Sequence, residues 1–351
     1  MDLENCPAAH LEGLELDGGW VVGARIDQSP GDTGGNFSFG YTVSHPEQGN
    51  AFLKALDYSR ALRHADVPAA LKRLVDAYVY ERELLERCSK ARLSKVILPL
   101  AHGQKNVDGF ELPVNYLIFE LADGDVRSQF TAMESFDSAW AMRVLHNTAT
   151  GVQQLHGQKI VHQDIKPSNL LTFDDEGSTK LGDLGRAEHR DETAPHSSQV
   201  IAGDLTYAPP EQLYGYQPSD WNVRRRTCDL YHLGSMILFL FAGSATTPAI
   251  ISRLSPAQHF ESWGDSYAAV LPFVRNAFDE VADELDQALP DVYRDRLGSA
   301  FRELCDPEPE KRGHPHARGS RHGDPYAVER YVSLFNLLAM RAERKLRSPS
   351  E

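Results

Sequence analysis

His162-Gln163-Asp164-Ile165-Lys166-Pro167-Ser168-Asn169, with Lys180-Leu181-Gly182-Asp183-Leu184-Gly185 further on, decides how this chain is read. The first stretch follows a helical pattern and the short apolar run Ile160-Val161, so it reads as a loop leaving a strand. That loop brings a carboxylate, an ammonium and an amide close together. The second stretch sets another carboxylate at a strand end beside a glycine. Oxygen donors of this hardness suit Mg²⁺, with Asp183 and the amide oxygen of Asn169 as candidate ligands. Asp164 is then placed to accept a hydroxyl proton while Lys166 faces a migrating phosphate. Asp and Asn also cap loops and turns in ordinary structural roles, so the assignment depends on what surrounds them.

Working outward, Asp137 is an N-cap for a helix whose apolar stripe is Ala141, Leu145, Thr148, Val152 and Leu155. Upstream, Val114 to Leu121 is apolar for almost its whole length and reads as a buried strand. Leu71, Leu74, Tyr78, Leu85 and Cys88 recur in steps of three and four along a helix. From Trp20 to Leu56 the signals are strands and turns, and alternation from Ala51 puts Phe52, Lys54 and Leu56 on one face. Residues 1–18 show no period and read as a flexible lead-in. Downstream, a helix covers Asp229 to Ala242, and the last helix is expected to start at an Asp324-Pro325 cap carrying Val328, Tyr331, Phe335 and Leu338. Strands first and helices later make an α+β chain, a small β-rich lobe followed by a larger helical one.

With these residues in place, the chain resembles the eukaryotic-like serine/threonine protein kinases, a type also found in bacteria. His162 to Asn169 matches that family's H-R-D-x-K-x-x-N catalytic loop except at Gln163, and Asp183-Leu184-Gly185 stands for its D-F-G motif. Pro209-Pro210-Glu211 resembles the A-P-E element, Arg312 its buried partner, and Asp229 to Gly234 the start of the central helix of the large lobe. The resemblance runs from about Trp20 to Arg312, with the motifs in the family's order. It implies a two-lobed kinase fold, ATP and Mg²⁺ as cofactors, and transfer of the γ-phosphate to Ser or Thr of protein substrates. Lys54 takes the place of the lysine that grips the α- and β-phosphates. Its helix partner follows from phase: Glu81 lies on the inward stripe, while Glu83 is turned about 200° away and is the alternative. The glycine-rich loop is degenerate and maps onto Thr33 to Ser38, with Gly34, Gly35, Phe37 and Ser38 as candidate nucleotide contacts. Phe52 stands where the family has a small residue against adenine, and either moves aside or stacks on the base. Phe119 is the expected gatekeeper, the backbones of Glu120 and Ala122 meet the adenine edge, and Leu171 completes the nucleotide contacts.

Composition narrows the alternatives. Lys+Arg 36 against Asp+Glu 50 leaves a net charge of −14, which disfavours nucleic acid and anionic membranes as partners. Cys6, Cys88, Cys228 and Cys305 form no C-x-x-C pair and read as buried thiols in a reducing, cytoplasmic compartment. His314, His316 and His322 read as a solvated loop, and Arg224-Arg225-Arg226 as a solvated run before a helix. The expected domains are an extension at 1–18, a small lobe at 19–119, a large lobe at 120–323 and a terminal helix at 324–351. Two rival functions share parts of the pattern. One is a small-molecule kinase of the aminoglycoside or choline type, disfavoured by Lys166, Glu211 and Arg312. The other is a nucleotide-binding pseudokinase, favoured by Phe52 and the poor glycine loop and disfavoured by intact Lys54, Asp164, Asn169 and Asp183.

Overall fold

β1 (Val21–Ile26), β2 (Ser38–His45), β3 (Gly49–Leu56), β4 (Pro99–Lys105) and β5 (Val114–Glu120) form an antiparallel sheet in the order β1-β2-β3-β5-β4. The computed structural model to which they belong describes residues 6–26, 38–173, 177–319 and 323–347, without the side chains of 346 and 347. Contacts divide the chain into two units. The first runs to Asp123 and also contains Gly182–Gly185.

Alternation in β3 divides the labour between the sheet's faces. Ala51, Leu53 and Ala55 are buried on one face, and Phe52, Lys54 and Leu56 are half-buried on the other. The buried face forms a core with Trp20, Tyr41, Val43, Tyr116 and Ile118. Residues 6–18 correct the expectation of a flexible lead-in. A short turn at Pro7–Ala9 lays Ala8, Leu11 and Leu16 into this core, and Tyr41 Oη donates to the Ala8 carbonyl at 2.7 Å. An irregular segment covering a sheet has no helical or strand period to betray its burial. Between β3 and β4 run α1 (Ser59–Leu62) and α2 (Val67–Lys90). Asp66 caps α2 by accepting from the Ala69 N–H, and the helix buries Tyr78, Glu81, Leu84, Leu85 and Cys88.

The second unit is mainly helical. It opens with β6 (Gly124–Asp125), α3 (Val126–Ala132) and α4 (Ser138–Gly157), followed by β7 (Ile160–Val161), β8 (Leu170–Phe173), β9 (Ser178–Leu181) and β10 (Glu188–His189). Then come α5 (Pro210–Leu213), α6 (Thr227–Ala242), α7 (Thr246–Ile251), α8 (Tyr267–Ala288), α9 (Asp291–Leu304), α10 (Pro315–Arg318) and α11 (Glu329–Arg347). The Asp137 carboxylate accepts from the Ala139 and Trp140 N–H groups, and α4 buries its whole expected stripe. α11 lies along α4, where Arg143 pairs with Glu343 and His146 meets the Val332 carbonyl.

Two expectations are corrected in this unit. The last helix starts at Glu329, not at Asp324: the Asp324 carboxylate accepts from the Tyr326 N–H at 3.0 Å within a turn and from two guanidinium nitrogens of Arg226, at 2.9 and 2.6 Å, while the first helical N–H bonds go to the Val328 carbonyl. Arg225 is not solvated but 1% exposed. All four cysteines are buried and free. Among the described residues, no helix is long and apolar enough to cross a membrane.

Candidate active site

In the first unit, β3 and α2 bring Lys54 and Glu81 together. Lys54 Nζ lies 2.9 Å from Glu81 Oε1 and 3.0 Å from Asp183 Oδ1, and Glu83 is exposed. Burial works against the Lys54 ammonium, but the Asp183 and Glu81 carboxylates outweigh it and hold the lysine above its ordinary range. Asp183 has φ 55°, in the left-handed region that Asp tolerates better than most residues. Its oxygens are hard donors fit for Mg²⁺, an ion that takes one or two protein oxygens and completes its shell from phosphates and water.

The same sheet carries the expected nucleotide contacts. Phe52 pairs in register with Phe119, and Gly40 with Lys54. A Cβ on Gly40 would stand 2.9 Å from Phe52 Cε2, so the phenyl ring lies over the glycine, to the side of its own strand. Ser38 begins β2, Glu120 ends β5, and Ala122 is half-buried just beyond. Gly34, Gly35 and Phe37 lie outside the described residues.

In the second unit, the loop from β7 to β8 forms a tight cluster around Asp164. Asn169 Nδ2 donates to the Asp164 carbonyl at 2.8 Å and to its Oδ2 at 3.0 Å, two bonds that do not use the amide oxygen of Asn169. Lys166 Nζ lies 3.3 Å from Asp164 Oδ2 and 3.1 Å from Asp204 Oδ2. The Asp204 N–H donates to Asp164 Oδ1 at 2.8 Å. Gly203 permits that approach, since a Cβ there would meet Asp164 Oδ1 at 2.7 Å. Burial disfavours the Asp204 charge, but the Thr206 N–H and the Lys166 ammonium keep its carboxyl below the usual range. Leu171 sits on β8, half-buried, in register with Lys180.

The loop is held from behind. Asp229, in the first turn of α6, accepts the His162 N–H at 2.9 Å and the Gln163 N–H at 2.8 Å. These bonds, with Gln163 Nε2 on the Arg186 carbonyl, support Gln163 at φ 62°. His156 Nε2 donates to Asp229 at 2.9 Å, because Arg226 Nε occupies the other ring nitrogen. Burial raises the Asp229 pKa, but the His156 bond leads the contacts that bring it below the ordinary value. Elsewhere, Arg312 and Glu211 form a fully buried bidentate pair at 2.7 and 2.6 Å.

A family model described as "Protein kinase domain" matches residues 54–306. The chain belongs to the protein kinase family. It is 31% identical over 157 residues to Aurora/IPL1-related protein kinase 2 of Caenorhabditis briggsae, covering 44% of this chain and 45% of that protein. It is 26% identical over 180 residues to the serine/threonine-protein kinase PrkC of Bacillus subtilis, covering 51% of this chain and 27% of that protein. For CTD kinase subunit alpha of Saccharomyces cerevisiae the identity is 29% over 168 residues, covering 48% and 29%. The chain spans less than half the length of these curated relatives.

Within this kinase fold, sequence reasoning missed several supports of the loop and of the stretch that follows Asp183. His156, Trp221, His196 and the Glu188–Arg225 pair are brought in by tertiary contacts. The only local signal was the arginine run at 224–226, read as solvated.

Proposed function

We propose that this chain is an ATP- and Mg²⁺-dependent kinase that transfers the γ-phosphate to Ser and Thr hydroxyls of protein substrates. The cluster around Asp164 is the observation that carries the reading. Its carboxylate is held by Asn169, Lys166 and the Asp204 N–H, oriented to receive a proton from the acceptor hydroxyl. Lys166 balances charge on the transferring phosphate, and its place two residues after Asp164 favours hydroxyls of Ser and Thr. Lys54, held by Glu81, orients the α- and β-phosphates. Asp183 and Asn169 are the proposed metal donors, and the bound ion would neutralise phosphate charge. Phe119, the backbones of Glu120 and Ala122, and Leu171 are proposed to contact the base. Four buried thiols support a cytoplasmic setting.

The test is label transfer from γ-labelled ATP to a general protein acceptor, followed by phosphoamino-acid analysis. The wild type is expected to label Ser and Thr. Asp164→Asn is expected to keep the ATP-induced thermal shift and lose about 10²–10⁴-fold in turnover. Transfer to an aminoglycoside or choline panel in place of protein, or nucleotide binding with no transfer, overturns the proposal.

A further inference from the structure

The stretch 186–198 follows the proposed metal aspartate and is pinned at several points within the second unit. Near its start, the Arg186 carbonyl accepts from Gln163 Nε2 and His196 Nε2, both at 2.9 Å. Next, β10 pairs with β7, setting Glu188 opposite Val161. The Arg190 N–H then donates to the Lys159 carbonyl at 2.9 Å. Towards its end, Arg225 Nη2 donates to the Ser197 carbonyl at 2.9 Å.

At the centre is a buried ion pair. Glu188 is 3% exposed and Arg225 1%. Arg225 Nη2 lies 3.1 Å from Glu188 Oε2, and Trp221 Nε1 donates to Glu188 Oε1 at 2.8 Å. One arginine thus ties the start of the stretch, through Glu188, to its end, through Ser197. A buried ion pair contributes little net stability against an apolar replacement, yet losing one partner strands the other charge and is costly. Such a pair defines one arrangement of the backbone around it. The hydroxyls of Thr193, Ser197 and Ser198 lie on this stretch, but Arg225, which holds the Ser197 carbonyl, is already engaged by Glu188. A phosphate beside the Glu188 carboxylate would meet like charge.

From this we infer that Glu188 and Arg225 are positioning residues that hold 186–198 in its ordered arrangement without phosphorylation. The inference rests on the kinase reading above, and its test separates the two. Full-length protein is treated with phosphatase and compared with untreated protein and with the Thr193→Ala, Ser197→Ala, Ser198→Ala triple variant. All three are expected to show initial rates within about threefold of one another. Glu188→Gln and Arg225→Gln are expected to lose at least tenfold in kcat with little change in the KM for ATP, and Arg225→Lys to recover part of the loss. Trp221→Phe removes the indole N–H that serves Glu188 together with part of the ring but leaves the ion pair, and is expected to lose less in kcat than Arg225→Gln. Hydrogen exchange of amides 186–198 adds a readout independent of turnover, with protection in the phosphatase-treated wild type that Arg225→Gln abolishes. A tenfold or greater fall on phosphatase treatment, unchanged kcat in Glu188→Gln, or no protection in the treated wild type overturns the inference. If untreated protein labels no acceptor while the exchange pattern holds, the kinase reading fails and the anchor stands.

Discussion

At the scale of single residues, Asp183 connects two kinds of chemistry. Its Oδ1 accepts from Lys54 Nζ at 3.0 Å, and its carboxylate is a proposed ligand of magnesium. Lys54 keeps Glu81 at 2.9 Å if Asp183 is removed, so a charged lysine remains for the nucleotide. Asp183→Ala is therefore expected to weaken ATP binding in the presence of Mg²⁺ by about tenfold or more, and metal-free ATP binding far less. Calorimetric titration with and without the metal checks this, and equal weakening in both would remove Asp183 from the metal.

At the scale of elements, neighbouring strands decide where side chains go. Phe52 shares the Lys54 face of β3, and its ring fills the space over Gly40 of β2. Gly40→Ala would press a Cβ against that ring and drive it from its seat. Overpacking of this kind costs about 1 kcal/mol or more, equivalent to roughly fivefold in affinity if ATP uses this face. ATP binding is expected to fall by about that factor in Gly40→Ala and to recover in Gly40→Ala/Phe52→Ala. Failure of the double variant to recover would show that the ring's seat does not govern the nucleotide. Helix phase is similarly decisive in α2, where Glu81 meets Lys54 and Glu83 faces solvent.

At the scale of the whole molecule, α6 carries an ionisable group into the core. His232 is 2% exposed, and burial, helped by His162 and Arg312 and opposed by Asp229, pushes its pKa down to about 4. The unfolded chain, with an ordinary histidine near 6.5, binds the proton more tightly than the fold does. This contribution to stability is complete above about pH 6.5 and is lost as pH falls towards 4, to a total of about 3 kcal/mol. Urea unfolding at several pH values should show a steeper acid loss in the wild type than in His232→Gln. Parallel pH dependences would refute the assignment. Subtracting the variant's curve removes the carboxylates that also titrate in this range.

The sequence alone was sufficient for the α+β order of elements, the Asp137 cap, the alternation that separates Lys54 from the core side of β3, and the loop from His162 to Asn169 that leaves a short strand. All of these are encoded within a few consecutive residues, through backbone periodicity and the side-chain reach of a turn. Tertiary structure decided the rest. Residues 6–18 cover a sheet face with no period of their own, and Asp324 serves Arg226 rather than capping a helix. Arg225 looks like one of three solvated arginines until Glu188 and the Ser197 carbonyl come within reach of it. A polar group's role depends on which distant partner satisfies it once water is gone, and only the folded path of the chain brings that partner to it.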